Sequence, residues 1–239
     1  MKKQYSFEEF TDIIKTLRSE NGCPWDREQT HNSLKPCMTE EAAELLAAIR
    51  IYDKTGDFGN MKEELGDILL QVVMHSQIAN EEGLFSIEDV ISGVSQKMIQ
   101  RHPHVFGTIK AETSEEVLSN WEEIKKKEKE TLSYTVSPLL DIPIELPALA
   151  YADKVLKKQD KLYEKTPNIK ESILKVKELL TEMETVLEND ETGKELLKNN
   201  LAYSLLFLSN IAMKSKISSE QLLRDKIGEI IDKYEPKKW

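Results

Sequence analysis

The sequence has few of the residues that define several common protein classes. It contains 2 cysteines, 9 glycines and 8 prolines among its 239 residues. Cys23 and Cys37 are too few for a disulfide framework and do not form a CxxC pair, so we expect reduced thiols and a cytoplasmic location. The scarcity of glycine and proline disfavours a turn-rich all-β fold and favours helices.

Long apolar runs and an excess of basic residues are also missing. No stretch approaches the ~20 apolar residues that span a bilayer, and Glu8 and Glu9 stand where a signal peptide would have its apolar core. Aspartate and glutamate number 43 against 33 lysines and arginines, which gives a formal net charge of −10. We therefore expect no membrane insertion and no stable nucleic-acid binding, because wrapping a duplex requires a basic face.

Helical periodicity runs through most of the chain, and no stretch shows sustained strand alternation. The predicted fold class is therefore all-α. We predict helices at about residues 6–18, 38–52, 60–82, 86–101, 114–131, 148–163, 169–188, 194–215 and 218–234. Ser6 and Glu9 have the spacing of a capping box at the start of the first of these helices. Residues 132–147 are rich in proline and poor in charge, so we place a linker there, between an N-terminal domain at 1–131 and a C-terminal domain at 148–239.

Paired acidic residues on two consecutive predicted helices carry the main chemical signal. Glu41 and Glu44 lie three apart on one helix, and Glu64 and Asp67 lie three apart on the next, so each pair shares a helix face. At ~1.5 Å per residue, the two pairs lie roughly 12 and 8 Å from the turn between the helices. Antiparallel packing then brings four carboxylates to one level, where they either face solvent or hold a cation. All-oxygen ligands suit Mg²⁺ or Mn²⁺.

Basic and aromatic residues further along the chain suit the phosphates and base of a nucleotide. Lys97 and Arg101 are four residues apart on one predicted helix, and Trp121 and Lys125 are four apart on another. A cationic side chain neutralises phosphate and an indole stacks on a base, but an exposed helix face and a buried anchor explain these pairs as well. Gly66, inside the second acidic helix, costs ~1 kcal/mol relative to alanine, so we expect a partner to approach closely there.

Four segments carry a family resemblance. They are GCPWDREQTH at 22–31, EExxE at 40–44, EELGD at 63–67 and RHPHVFG at 101–107. Together they closely resemble MazG, a family of nucleoside triphosphate pyrophosphohydrolases in the all-α NTP pyrophosphatase superfamily, over about residues 7–129. The resemblance implies Mg²⁺-dependent hydrolysis of an NTP or dNTP to the monophosphate and pyrophosphate, a homodimer, and a place in nucleotide-pool housecleaning or the stress response.

Carried over position by position, the resemblance implies roles for individual residues. The family's metal ligands correspond to Glu41, Glu44, Glu64 and Asp67. Its nucleotide contacts correspond to Lys97, Arg101, Trp121 and Lys125. Glu40 and Glu63 stand next to the ligands, and either would orient or deprotonate the attacking water; the sequence does not decide between them.

The C-terminal half repeats the apolar pattern of the N-terminal half but not its carboxylates. Residues 199–206 align with 63–70, and residues 178–182 stand where EExxE is expected. Of the four aligned ligand positions, Glu182 alone is acidic. The other three are Leu179, Asn200 and Tyr203. We therefore predict two tandem MazG-like helical-bundle domains, of which the second is degenerate and has lost its metal.

Three alternatives stay open on the sequence. A non-catalytic helical dimerisation or regulatory module is motivated by the degenerate second half and predicts no turnover. A ferritin-like di-iron protein needs Glu-x-x-His on two helices, but the sequence has this pattern only from Glu28 to His31, in a segment predicted to be irregular. The third alternative is an enzyme restricted to deoxynucleotides or to damaged triphosphates.

Overall fold

A computed structural model describes residues 4–130, 137–185 and 191–235 of the chain. These residues form helices and turns and contain no strand, so the predicted all-α class is confirmed. The helices are α1 (Phe7–Leu17), α2 (Pro24–Glu28), α3 (Lys35–Thr55), α4 (Gly59–Glu81), α5 (Ile87–Arg101), α6 (Pro103–Phe106), α7 (Ser114–Glu130), α8 (Ala148–Leu162), α9 (Ile169–Glu184), α10 (Glu191–Lys214) and α11 (Ser219–Tyr234). None of the described helices combines the length and hydropathy that a membrane crossing requires.

The chain divides into two compact units, Met1–Leu132 and Ser133–Trp239. Part of the predicted linker, 132–136, lies outside the described residues, while 137–146 is held against α8. There the Lys158 ammonium lies 3.5 Å from a carboxylate oxygen of Asp141, and Ile142 is buried. That the two units are copies of one bundle stays a prediction.

The core of the N-terminal unit lies between α1, α4 and the start of α3. Ser6 and Glu9 cap α1 reciprocally, as the sequence predicts, because each side chain accepts a hydrogen bond from the other's backbone N–H. The cluster of buried apolar side chains consists of Ile14, Leu34, Val73, Met74 and Ile78. This apolar contact fixes α4, which carries two of the predicted metal ligands.

Helices α3 and α4 form an antiparallel hairpin. Gly56 ends α3 in the left-handed region, with φ of 75°, a conformation that costs glycine little. The Asp57 carboxylate then accepts a hydrogen bond from the Gly59 N–H at 2.8 Å, which starts α4. The fully buried Ala48 lies on α3. The short turn places the acidic faces of the two helices side by side.

Proline explains where the observed helices differ from the predicted ones. Helix α3 begins before the predicted start because Pro36 lies in its first turn, where a missing N–H costs nothing. The short helices α2 and α6 occupy segments predicted to be irregular. Pro24 and Pro103 stand at their first positions and set a helical φ.

The C-terminal unit is built from α8 to α11, with α9 packed along α10. Its described interior contains several polar contacts. The Asn210 amide donates to the Ser172 hydroxyl at 2.9 Å, and the Ser219 hydroxyl donates to the Asp153 carboxylate at 3.1 Å. These hydrogen bonds give partners to the buried Ser172 and Ser219 hydroxyls, while the Asn210 Oδ1 atom has no hydrogen-bond partner among the described residues.

Candidate functional site

The α3–α4 hairpin brings three of the four predicted metal ligands together. Glu41 on α3 and Glu64 and Asp67 on α4 each offer a carboxylate oxygen, and these oxygens all lie within 4.8 Å of one another. Glu64 is only 9% exposed, which is unusual for a glutamate. The arrangement follows from the spacing of three residues along α4, which places Glu64 and Asp67 on the face that meets α3.

The proximity of these carboxylates changes their protonation. The pKa of Glu41 and that of Glu64 are both raised above their ordinary value, with desolvation as the largest cause. Negative charge on the neighbouring carboxylates adds to the shift, because a second negative charge nearby disfavours ionisation. Desolvation and neighbouring negative charge therefore both disfavour the ionised form of Glu41 and Glu64.

A hard divalent cation fits this donor set. Within the described part of the chain, Glu41, Glu64 and Asp67 form no ion pair and no hydrogen bond through their carboxylates. All the donors are oxygens, which Mg²⁺ and Mn²⁺ prefer. The three oxygens lie within 4.8 Å of one another, a limit comparable with twice the ~2.1 Å distance from Mg²⁺ to its ligands. A bound cation would offset the charge that these residues concentrate.

Glu44, the fourth predicted ligand, lies outside the group of three. Its side chain is exposed, yet it is close enough to contribute, after desolvation, to the raised pKa of Glu41 and Glu64. Its role as a ligand stays a prediction.

Glu40 and Glu63, the predicted water-activating residues, are exposed beside the carboxylate cluster. After desolvation and nearer charges, Glu40 contributes to the raised pKa of Glu41, and Glu63 contributes to that of Glu64. Both therefore lie within electrostatic reach of a predicted ligand. The structure shows no difference between them that selects one as the base.

The predicted nucleotide contacts meet where α5 ends beside α7. The Arg101 guanidinium lies 5.3 Å from the centroid of the Trp121 ring. The His102 ring packs edge-on against the same indole, with 5.0 Å between ring centroids. The guanidinium also forms an ion pair with Glu128, at 2.6 Å from Nη2 to Oε2. Arg101 and Trp121, which are 20 positions apart in the sequence, thus form one contact group.

Lys97 and Lys125 lie near the same ion pair. The pKa of Glu128 is lowered first by its hydrogen bond from Arg101, against a smaller effect of desolvation, and then by positive charge on Arg101, Lys97 and Lys125. Lys97 is exposed and Lys125 is half-buried. Lys97 and Lys125 therefore lie within electrostatic reach of the carboxylate that Arg101 binds.

The sequence analysis did not identify Glu128. It lies in the charged run that follows Trp121, which resembles a solvated helix surface, and its partner Arg101 precedes it by 27 positions. A contact between two helices at that separation has no local signal. Its position three residues after Lys125 was the available clue, since residues three apart share a helix face.

A second unpredicted contact joins two histidines. His31, before α3, and His75, on α4, lie with their Nδ1 atoms 2.8 Å apart and their rings nearly parallel. One nitrogen must donate while the other accepts, so the pair shares a single proton. Desolvation, and then the charge of His31, lowers the pKa of His75. The contact ties the segment before α3 to α4.

The C-terminal unit has a different arrangement at the aligned positions. Asn200 on α10 is 2% exposed. Its side-chain amide donates to the Glu182 carboxylate on α9 at 2.9 Å and to the Leu179 carbonyl at 3.4 Å. The uncharged Asn200 amide therefore binds Glu182, the one acidic residue among the four positions that align with predicted ligands.

Comparison with known proteins finds a family match in the N-terminal part of the chain. A family model described as the MazG nucleotide pyrophosphohydrolase domain matches residues 29–106. That segment contains the whole α3–α4 hairpin and both helices' predicted ligands. It also includes Lys97 and Arg101, while Trp121 and Lys125 lie beyond it.

Several relatives share extended similarity with this chain. A Bacillus subtilis protein named uncharacterized protein YabN is 53% identical over 154 residues, which cover 64% of this chain and 30% of that protein. The nucleoside triphosphate pyrophosphohydrolase/pyrophosphatase MazG of Thermotoga maritima is 54% identical over 123 residues, covering 52% and 45%. The nucleoside triphosphate pyrophosphohydrolase of Escherichia coli K12 is 46% identical over 147 residues, covering 61% and 54%.

These alignments span about half or less of each relative's own length. The family model, by contrast, matches the part of the chain that holds the carboxylate cluster. Over residues 29–106, the chain is therefore similar to the MazG nucleotide pyrophosphohydrolase domain.

Proposed function

We propose that this protein is a divalent-metal-dependent nucleoside triphosphate pyrophosphohydrolase, which converts an NTP or dNTP to its monophosphate and pyrophosphate. The observation that carries the proposal is the convergence of Glu41, Glu64 and Asp67 within the segment that matches the MazG domain. A role in cytoplasmic nucleotide-pool housecleaning or the stress response, with the chain acting as a homodimer, belongs to the same proposal.

The residues of the hairpin would hold the metal and the water. Glu41, Glu64 and Asp67 would bind Mg²⁺ or Mn²⁺, with Glu44 as a fourth ligand. The bound cation supplies positive charge that offsets the triphosphate and favours attack by water. Glu40 or Glu63 would orient that water or accept its proton.

The residues at the end of α5 and on α7 would hold the nucleotide. Water attacks the α-phosphorus, the bond from that phosphorus to the bridging oxygen breaks, and pyrophosphate leaves with the electron pair. Lys97, Arg101 and Lys125 would neutralise the charge that develops on the leaving group. Trp121 would stack on the base, which every base tolerates, so the indole predicts no base preference.

Pyrophosphate release tests the proposal directly. The eight common NTPs and dNTPs are incubated with the protein and Mg²⁺, and phosphate is measured with and without added inorganic pyrophosphatase. A signal that requires pyrophosphatase means α–β cleavage. Direct phosphate release, or silence from folded protein on all eight substrates, contradicts the proposal as stated.

A matched pair of variants assigns the activity to the hairpin. Glu64→Gln removes a ligand charge with little change of shape, and we expect it to lower turnover by a factor of ~100 or more, because metal binding depends on carboxylate charge. Glu82→Gln makes the same change at the exposed end of α4 and should keep near-normal turnover. Equal activity in the two variants would remove Glu64 from the site.

The C-terminal unit supports a second candidate function. The contact between Asn200 and Glu182 occupies the positions that align with ligands, which favours a helical dimerisation or regulatory module without catalysis in that unit. If the whole chain had only this function, it would release no pyrophosphate and Mg²⁺ would not stabilise it. Pyrophosphate release and thermal unfolding with and without Mg²⁺ separate this candidate from the first.

A further inference from the structure

We infer that Glu128 is an internal substitute for substrate phosphate: its carboxylate occupies the anion position of the cationic group Lys97, Arg101 and Lys125, and a phosphate must displace it in order to bind. This role would make Glu128 a specificity-determining residue, which disfavours weakly charged anions. The inference rests on the proposed function only in taking these cations as the phosphate site.

The geometry of the pair is that of an anion bound by a guanidinium fork. Arg101 donates from Nε to both Glu128 oxygens at 3.2 Å and from Nη2 to Oε2 at 2.6 Å. The Arg101 side chain is 16% exposed and that of Glu128 is 32% exposed. A phosphate group presents two oxygens to a guanidinium in the same way as a carboxylate. The two anions therefore compete for the same donors.

Packing holds Arg101 in place for this exchange. The Trp121 ring lies 5.3 Å from the guanidinium carbon, and His102 packs edge-on against that ring. The His102 Nδ1 lies 2.6 Å from the Met98 carbonyl, which orients the histidine. With the guanidinium supported from the indole side, the carboxylate is the partner that an incoming phosphate can replace.

The charges around Glu128 favour replacement by a polyanion. Three cations, Arg101, Lys97 and Lys125, each interact favourably with its carboxylate. One carboxylate carries a single negative charge, so by itself it offsets only part of the positive charge of these three cations. A triphosphate carries more negative charge than the carboxylate and gains more from the same three cations. Orthophosphate carries less charge than a triphosphate, so its attraction to these cations exceeds that of the Glu128 carboxylate by less.

Removing the charge of Glu128 tests the inference without requiring catalysis. Binding of inorganic tripolyphosphate and of orthophosphate is measured by titration calorimetry on the full chain, in low salt with chelator. We expect Glu128→Gln to bind tripolyphosphate about three- to fivefold more tightly than the unsubstituted chain, the upper part of the range for an ion pair near the surface. Orthophosphate binding should gain at least as much.

The control changes the same charge on the same helix. Glu123 is an exposed residue of α7, and Glu123→Gln should leave tripolyphosphate binding within about twofold, since a surface charge acts weakly through water. A gain in Glu123→Gln as large as in Glu128→Gln would mean that only net charge matters and would overturn the inference. So would the absence of tripolyphosphate binding in all three proteins.

A positioning role for Glu128 gives the opposite result. If Glu128 only orients Arg101, Glu128→Gln and Glu128→Ala bind tripolyphosphate equally or more weakly, and this outcome overturns the inference. If it is a substitute for phosphate, both variants bind more tightly, and the gain disappears when Arg101→Gln is added. Circular dichroism and thermal unfolding establish that each variant is folded.

Catalysis adds a separate measurement. If the chain hydrolyses nucleotides, Glu128→Gln should lower KM for the triphosphate without raising kcat, a change that a merely structural role would not cause. A higher KM in this variant contradicts the inference. If the unsubstituted chain releases no pyrophosphate while Glu128→Gln binds tripolyphosphate more tightly, the proposed function fails and the inference stands.

Discussion

Arg18 shows how a single residue holds an irregular segment in place. Its guanidinium pairs with Glu81 at 2.7 Å and donates to the backbone carbonyls of Asp26 and Gln29. The Arg18 side chain is only 5% exposed. Three elements, the end of α1, the segment around α2 and the end of α4, therefore meet at one side chain.

The pKa of Glu81 reflects this contact. Desolvation alone would raise it, but hydrogen bonds from Arg18 and Gln77 and the charge of Arg18 outweigh desolvation and place it below its ordinary value of 4.5. A carboxylate with a lowered pKa contributes stability above its unfolded pKa, and this contribution disappears as the pH falls through the folded value. The Arg18 contact should thus weaken in acid.

We expect Arg18→Met to lower the free energy of unfolding by about 2–4 kcal/mol at neutral pH, because two backbone carbonyls and Glu81 lose a charged donor. Urea unfolding measures the change. Arg50→Met, on the exposed side of α3, is the matched control and should change stability by no more than ~0.5 kcal/mol. The difference between Arg18→Met and the unsubstituted chain should shrink below about pH 4. Equal losses in the two variants would show that Arg18 is not a structural centre.

At the scale of elements, the two helix hairpins differ in what their aligned positions hold: carboxylates cluster in one, and an amide binds a carboxylate in the other. In the α3–α4 hairpin, Glu64 joins two other carboxylates whose charge no described residue offsets. In the α9–α10 hairpin, Asn200 supplies an N–H to Glu182 at 2.9 Å. The Asn200 amide thus supplies a hydrogen-bond donor to Glu182, whereas an acidic residue at position 200 would require a cation between the two carboxylates.

We predict that Asn200→Asp destabilises the chain at neutral pH by about 2–4 kcal/mol, because a buried carboxylate would then face Glu182 without a donor between them. Asn199→Asp makes the same charge change at the exposed neighbouring position and should cost ~0.5 kcal/mol or less. Chemical unfolding at pH 7 and pH 4.5 measures both. The loss in Asn200→Asp should diminish at the lower pH, since protonating one carboxylate restores a donor; a loss independent of pH would argue against this account.

Gly66, where the sequence analysis expects a partner, has no close neighbour among the described residues beyond the backbone of its own helix. The sequence analysis expects a close approach at this position, but a Cβ built there has no heavy atom of the chain within 4 Å, leaving aside the backbone of its own helix. The described part of this chain therefore makes no such approach to α4 at Gly66. The residue costs helix stability without gaining packing in the single chain.

For the whole molecule, the two units differ in the charge that their hairpins hold. The N-terminal unit holds the three converging carboxylates, while Glu182 in the C-terminal unit has an amide partner. Exposed apolar side chains on α3 and α4, Leu46, Ile49, Leu65 and Leu69, support the proposed homodimer, because a second copy would remove them from water.

We expect Mg²⁺ or Mn²⁺ to raise the unfolding temperature of the chain, because a ligand that binds the folded state stabilises it by about 2.7 kcal/mol at one hundred times its Kd. Glu64→Gln should abolish the shift. Glu182→Gln, which removes a carboxylate from the other hairpin, should retain it. Thermal unfolding with and without the metal is the measurement. A metal-dependent shift that survives in Glu64→Gln but is lost in Glu182→Gln would place the cation in the C-terminal unit and contradict the proposal.

The sequence alone predicted the all-α class and the helices α3 and α4, because helical periodicity and turn residues are local signals. It also predicted that Glu64 and Asp67 share a face and that Ser6 and Glu9 cap α1, since both relations depend on a spacing of three residues along one helix. Family resemblance pointed to MazG, and the domain match over residues 29–106 agrees with it.

Only the tertiary structure decided which side chains meet between elements. It brought Glu41 to Glu64 and Asp67 but left Glu44 outside the group, and it paired Arg101 with Glu128 and Asn200 with Glu182. Such contacts depend on the rotation and offset of one helix against another. Local spacing sets the face on which a residue lies, whereas the packing of the core sets what that face meets.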